Sequence, residues 1–423
     1  MSKLHVFSSC ALNYVPKARL LFRSLREHLP GAELHLALAD DPRGLLDAGS
    51  EPFDGLLPIS GLDIPSWRGW AFGHTIVELC TAIKPFALGK LLARQDCSAA
   101  IYFDPDIVAF SPLDDIVRAL DEDNIVLTPH QTKPDESIAG IMDNEICSLK
   151  HGIYNLGFIG VRAGDEGRRF AEWWSRRTYY FCRDDIPNGL FTDQRWIDLA
   201  PAFFDGVRII KSPRHNVAPW NLTTRSLTGS IQEGFQVDGH PLGFFHFTGF
   251  DSGDHEVMAA KNAPGNRATR ELIAWYKENI RLPAADPFAS QPWAFATFSN
   301  GERITAAQRI VYRDRADLQA AFPDPFDCSK RTGYLNWWRT QAKHEYPDLF
   351  GSGAAAAGSA RPARALSPGF HGGAMRGGWR ALGSHARQVL ARPGHAAHLF
   401  KAALGVVKRE GLAGLYRKIR GYR

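Results

Sequence analysis

Ile101-Tyr102-Phe103-Asp104-Pro105-Asp106-Ile107-Val108-Ala109-Phe110 decides how the rest of this sequence is read. The apolar run Ala99 to Phe103 reads as a buried strand of a mostly parallel sheet, and Ile107 to Phe110 as a second, short strand. Between them stand two carboxylates, Asp104 and Asp106. Pro105 separates them; it fixes its own φ and donates to no ladder, so a defined turn is expected. Ligands of open α/β sheets bind beyond the carboxyl ends of the strands, which puts both acids over a crevice. Paired carboxylates there suit a hard divalent cation that also grips phosphate oxygens; the plainer alternative is a capped turn. The spacing recurs at Asp121-Glu122-Asp123, after a helix-like segment (Leu113 to Leu120) and among polar residues, where a solvated turn is expected.

Upstream, Leu4 to Ser8 reads as the first strand, and Pro16 opens a helix with the apolar face Ala18, Leu21, Phe22, Leu25 and Leu29. Pro30-Gly31 ends it, and Glu33 to Ala39 is a second strand closing on Asp40-Asp41. This β-α-β unit starts a right-handed parallel sheet. The intervening loop, Ser8 to Tyr14, is no GxGxxG, and the chain has no GxxxxGKS/T, so dinucleotide and P-loop readings are disfavoured. Its small polar residues and tyrosine still suit a nucleotide base and ribose. Residues 42–73 are irregular; a helix then runs from Thr75, breaks near Pro85 and resumes to Arg94. Lys84, at the break, either meets a phosphate or is an exposed surface lysine.

Downstream, Asn124 to Thr128 is a strand leading to His130. His151 to Val161 (HGIYNLGFIGV) is a strand whose glycines allow close backbone approach and whose Asn155, in apolar company, needs partners. Asp165 to Phe181 is an amphipathic helix, and Phe191 to Asp198 a short helix capped by Thr192 or Asp193. Val207 to Lys211 is a strand. In Gly243 to Gly249 (GFFHFTG) one histidine, His246, sits in an aromatic strand. It is either a hydrogen-bonded core residue or a third ligand, and an imidazole beside two carboxylates suits Mn²⁺ better than an oxygen-lined Mg²⁺ site.

The bulk numbers fit this α/β reading. With 423 residues, 44% hydrophobic and 22% charged, the chain is ordinary globular material with room for more than one domain. No apolar stretch reaches the length of a membrane span, and the N-terminus reads as a strand rather than a signal peptide, so a cytoplasmic protein is expected. Six cysteines form no CxxC pair, consistent with reduced thiols. Residues 351–423 carry ten Arg and three Lys against Glu410. Taking that +12 from the total of +5 leaves −7 on the residues before it. Within this tail, Ala397 to Arg420 has an apolar stripe and basic residues, which suits peripheral contact with an anionic membrane, the inner face of the plasma membrane; the alternative is a packed helical module.

Taken together, Asn13-Tyr14 after the opening strand, Asp104-Pro105-Asp106, YNLGFIG (154–160), TDQRW (192–196) and HFTG (246–249) resemble the family 8 retaining nucleotide-sugar glycosyltransferases, the group of bacterial lipooligosaccharide galactosyltransferases and glycogenin. The resemblance implies an α/β, GT-A type Rossmann-like nucleotide-diphosphosugar transferase fold with a helical C-terminal appendage. The matching motifs are spread through roughly the first 250 residues; with the composition beyond them, the expected organisation is a catalytic domain over 1–285, an aromatic-rich helical appendage over 286–350, a Gly/Ala/Ser-rich flexible linker over 351–365 and a basic tail over 366–423. The resemblance implies Mn²⁺ (or Mg²⁺) held by Asp104, Asp106 and His246 on the diphosphate of a UDP-sugar. Ser8, Ser9 and Asn13 would lie by the uridine, and Asn155, Asp193 and Gln194 around the donor sugar, Gln194 nearest the anomeric face. The acceptor would be a hydroxyl of a cell-surface glycan or lipid-linked saccharide, positioned by Asn155, Asp193 and His130. Where the family usually carries a diphosphate lysine, Phe250-Asp251-Ser252-Gly253 stands here. Gln194 is a poor nucleophile, so same-face attack through an oxocarbenium ion pair is expected, with Asp193 as nucleophile the competing route. Two other classes stay open: a catalytically inactive sugar-binding or scaffolding homologue, and a nucleic-acid-binding protein acting through the basic tail, for which no recognised motif speaks.

Overall fold

The computed structural model describes residues 2–280, 288, 291–329 and 331–350. All the described residues belong to one compact unit. The expected linker and amphipathic tail lie outside the described residues.

The opening strand, β1 (Lys3–Cys10), alternates: Val6 and Cys10 join the core on one face and Phe7 the core on the other. Helix α1 (Val15–His28) buries the expected face, Ala18, Leu21, Phe22 and Leu25, against Val6, Leu34 and Leu36. β2 (Glu33–Leu38) and β3 (Gly55–Pro58) extend the sheet outward in parallel. After α2 (Trp67–Phe72) the predicted helix break is real: α3 (Ile76–Ala82) opens on a Thr75–Glu78 capping box, and α4 (Lys84–Leu92) carries Pro85 in its first turn. The central strand β4 (Cys97–Phe103) sends Ala100 and Tyr102 toward α4, and Ile101 and Phe103 toward α1.

Then come β5 (Ile107–Ala109), α5 (Asp114–Glu122), β6 (Ile125–Pro129) and β7 (Tyr154–Arg162). The seven-stranded sheet runs Val207–Ile209, β6, β7, β4, β1, β2, β3. It is mostly parallel, but β7 lies antiparallel between β4 and β6. β5 leaves this sheet and pairs antiparallel with Phe244–His246, so that His246 stands opposite Ile107. That pairing brings a residue from late in the chain beside the two aspartates. A third apolar cluster, including Val108, Phe245, Phe247, Leu272 and Tyr276, packs behind it.

Residues 293–350 pack into the body. Phe295, Phe298, Val311, Tyr312, Phe326 and Tyr334 share one core with α2, α4 and β4. Phe72 meets the rings of Phe298, Tyr312, Phe326 and Tyr334. Arg309, buried, donates to the carbonyls of Phe72, His74 and Phe295. Trp293 Nε1 donates to Ala39 O at 2.9 Å, just past the end of β2. Among the described residues no helix is long and apolar enough to cross a membrane.

Candidate active site

The carboxyl end of β4, the turn to β5 and the end of the Phe244–His246 strand converge on one point. His246 Nε2 lies 3.1 Å from Asp106 Oδ1 and 3.7 Å from Asp104 Oδ2. The ring is fully embedded, and its other nitrogen, Nδ1, is 3.2 Å from Asn155 Oδ1. Asn155 Nδ2 in turn lies 3.1 Å from His130 Nε2, while His130 Nδ1 is 3.3 Å from Ile153 O. The proton order follows from the fixed ends. The Ile153 carbonyl can only accept, so His130 Nδ1 donates and its Nε2 accepts from the Asn155 amide. Asn155 Oδ1 then accepts from His246 Nδ1, so Nε2 is the nitrogen turned to the carboxylates: it donates to Asp106 while the ring is charged and offers a lone pair once that proton leaves.

Glycine makes this packing possible. A Cβ on Gly157 would sit 2.6 Å from His246 Cε1 and 2.7 Å from Asn155 Oδ1, closer than any side chain tolerates. Two carboxylates and an oriented imidazole are the donor set of a Mn²⁺-class ion, and the three ligand atoms lie within 4.8 Å of one another. The residues therefore fit such an ion. Burial by itself would raise the Asp106 carboxyl, but His246, with help from Lys17, holds it below its ordinary value. Burial opposes charge on His246 as well, yet the two aspartates raise it overall.

Lys84 is the residue that the sequence left most open. It is buried, and its ammonium stands 3.2 Å from Asp104 Oδ1 and 3.2 Å from Asp193 Oδ2, donating also to Leu156 O at 3.0 Å. Despite burial, the two carboxylates keep it firmly charged. One lysine cannot fully offset two acids, and burial holds Asp193, the more enclosed of them, above the ordinary carboxylate range. Its Oδ2 receives no well-aligned hydrogen bond, because Lys84 approaches obliquely.

The expectation that Thr192 or Asp193 caps the short helix is corrected. The helix is Gln194–Ile197, Asp193 stands at its N-terminal boundary, and its side chain takes a hydrogen bond from Thr192 Oγ1 instead of capping. Gln194 is committed to backbone: Oε1 accepts from Leu156 N at 2.9 Å and Nε2 donates to His151 O at 3.0 Å. The amide thus clamps the start of β7, the strand that carries Asn155.

A cleft of about 400 Å³ opens beside the aspartates, lined by Ser9, Asn13, Tyr14, Lys84, Asp104 and Asp106 among others. Ser9 Oγ donates to Cys80 O and meets Tyr102 OH. Ser8 differs: it is fully buried, is absent from the cleft lining, and its hydroxyl has no partner. Alternation along β1 puts the two serines on opposite faces.

Two contributors were missed in the sequence. Tyr102, two residues before Asp104 on the same strand face, donates to Asp104 Oδ1 at 2.5 Å. The period of two along the strand was the available signal. Asp251 receives Lys17 Nζ at 2.6 Å and the Tyr14 hydroxyl, tying the loop after His246 to the start of α1. Nothing local in the sequence announces that contact across the fold.

No protein-family model matches the chain. It is 27% identical over 176 residues to an uncharacterized Bacillus subtilis (strain 168) protein, YfnF, covering 41% of this chain and 57% of that one. To YfnD of the same organism it is 24% identical over 254 residues, 59% of this chain and 79% of the other. The chain thus spans little more than half the length of YfnF. Among solved structures, it is similar to the galactosyltransferase LgtC in complex with donor and acceptor sugar analogues (14% identity, TM-score 0.36, 66% of this chain and 98% of that one). It is also similar to the glycosyltransferase GlyE of Streptococcus pneumoniae TIGR4 (13%, 0.35, 68% and 66%) and to mouse xyloside xylosyltransferase 1 (11%, 0.36, 59% and 99%). At such TM-scores these likenesses assign no function.

Proposed function

We propose that the chain is a metal-dependent glycosyltransferase of GT-A type, moving a sugar from a nucleotide-diphosphate donor, a UDP-sugar, to a hydroxyl of a glycan or lipid-linked acceptor with retention. The observation that carries this reading is the Asp104–Asp106–His246 group, whose two aspartates line a cleft of about 400 Å³. Breaking a glycosyl–phosphate bond loads negative charge onto the departing diphosphate, and a divalent ion held by Asp104, Asp106 and His246 would supply the Lewis acidity that stabilises it.

The chain's own groups do the rest. His130 and Asn155 fix the His246 tautomer. Lys84 bridges Asp104 and Asp193 and offsets their repulsion. Ser9, Asn13 and Tyr14 flank the space for base and ribose. Asp193 and Gln194 stand beyond Lys84 on the sugar side; Gln194, with one lone pair and one N–H beyond its backbone bonds, orients the sugar rather than attacking it. The 1–285 segment is assigned the chemistry, and 366–423 peripheral membrane contact.

The direct test is a screen of UDP- and GDP-sugars with Mn²⁺ for slow donor hydrolysis and its loss in EDTA. Hydrolysis of no donor, or full activity in EDTA, would sink the reading.

A further inference from the structure

At the opposite, amino-terminal end of the sheet lies a second cluster that the proposed chemistry does not use. His5 on β1 and His35 on β2 are buried, with stacked rings 5.1 Å apart. His5 Nδ1 and His35 Nε2 are 2.9 Å from each other, and Glu33 Oε1 is 3.7 Å from that same His35 nitrogen. Only one proton fits between the two nitrogens, so one ring donates and the other accepts. We infer that this cluster is a metal site, taking one Zn²⁺-class ion on His5 Nδ1, His35 Nε2 and a Glu33 carboxylate oxygen, with the shared proton moving to the other nitrogen of the ring that carried it as the ion binds.

Four features favour it. The three ligand atoms already lie within 4.8 Å of one another, and two imidazoles with one carboxylate are a zinc donor set. The 2.9 Å contact between the two ring nitrogens requires at least one of them to be an unprotonated acceptor, which is the ligating form. The far nitrogen of His5, Nε2, is buried with no hydrogen-bond partner, and Asp96 Oδ1 stands 3.6 Å from it. A metal-bound histidine characteristically presents its other ring nitrogen to a carboxylate, so Asp96 is the orienting group already in place. Finally, a Cβ on Gly55 would fall 2.7 Å from His35 Nδ1, so a glycine there leaves room for the ring. Lys3 and Arg94 now hold Glu33, at 3.0 and 3.3 Å, but both reach it from solvent, with side chains 50% and 42% exposed, and can turn away.

The ion would tie β1 to β2 far from the cleft, so the inference stands independently of the transferase reading. The test uses the untagged full chain carrying Asp104→Ala and Asp106→Ala, titrated with Zn²⁺ by calorimetry and with Co²⁺ by visible absorption. One ion per chain and the absorption of four-coordinate Co²⁺ are expected. Adding Glu33→Gln, at the exposed rim where the fold is safe, should weaken binding about tenfold or more. His35→Gln, checked for folding by circular dichroism, should remove binding. Absence of Zn²⁺ binding in the Asp104→Ala/Asp106→Ala chain would overturn the inference, as would unchanged affinity in Glu33→Gln.

Discussion

Two runs of acids with the same spacing, Asp104-Pro105-Asp106 and Asp121-Glu122-Asp123, end up in opposite situations. The first sits where β4 stops, faces an oriented imidazole and a buried lysine, and borders the cleft. The second ends α5 and the turn after it, with Asp121 exposed and both Glu122 and Asp123 paired with Arg208 from the neighbouring strand. One pair of carboxylates is enclosed among an ammonium and an imidazole beside a cleft; the other run lies at the surface, two of its acids on a single guanidinium. Acid spacing alone says little. What separates them is whether the surrounding fold encloses the carboxylates with a further ligand in a place a substrate can reach.

The contrast can be broken most sharply at Asp106. Asp106→Ala should cut Mn²⁺-dependent donor turnover on the order of 10³-fold, the size of a lost electrostatic contact to a developing charge. Steady-state rates with and without EDTA check this; activity near wild type would put the two acid runs on a par. Lys84→Met comes next. It leaves Asp104 and Asp193 sharing a buried region without their cation and should lower stability by about 3 kcal/mol, read by denaturant unfolding. A stability loss under about 1 kcal/mol would mean that water already screens the trio.

Asn155→Ala removes the acceptor that fixes the His246 tautomer. Mn²⁺ affinity should fall about 10- to 100-fold while Asp104 and Asp106 remain in place. Calorimetry showing unchanged affinity would detach Asn155 from the ion. The site should also titrate. His246 is raised above its ordinary 6.5, so in the metal-free chain its pairing with Asp106 stabilises below that pH and is lost as pH rises through the raised value. Asp106 is lowered from 3.8, so its own contribution is present above 3.8 and disappears as acid protonates it. The proton on His246 competes with the ion. Mn²⁺ affinity should therefore climb by up to about tenfold per pH unit until His246 is neutral, and thermal shifts measured from pH 6 upward would show it. A flat profile would remove His246 from the ligand set. The smallest effect belongs to Asp121→Ala: no change in turnover, and stability within about 0.5 kcal/mol.

Much of this architecture was legible because apolar periodicity reports burial directly. The α1 face from Ala18 to Leu25, the β4 run and the break at Ile83 all follow from side-chain spacing and proline. The direction of β7 was not. Its glycines and apolar run read the same whichever way the strand is laid, and only the connection from His130 to Gly152 turns it antiparallel. Lys84 looked like a surface or phosphate residue because nothing near it in sequence shows that Asp193, more than a hundred positions later, comes within 3.2 Å. Ser8 and Ser9 show a finer limit: strand alternation separates them, and only Ser9 reaches the cleft. The aromatic segment after residue 290 has no period that names its partner, so its union with the Phe72 core became visible only in three dimensions.

That union makes the segment irremovable by parts. Arg309 holds the carbonyls of Phe72 and His74 in the body and of Phe295 within the segment, and four rings enclose Phe72. Trimming the segment would strand buried carbonyls and bare an aromatic face. Its outer surface is free to change, but its inner face and Phe72 can change only together.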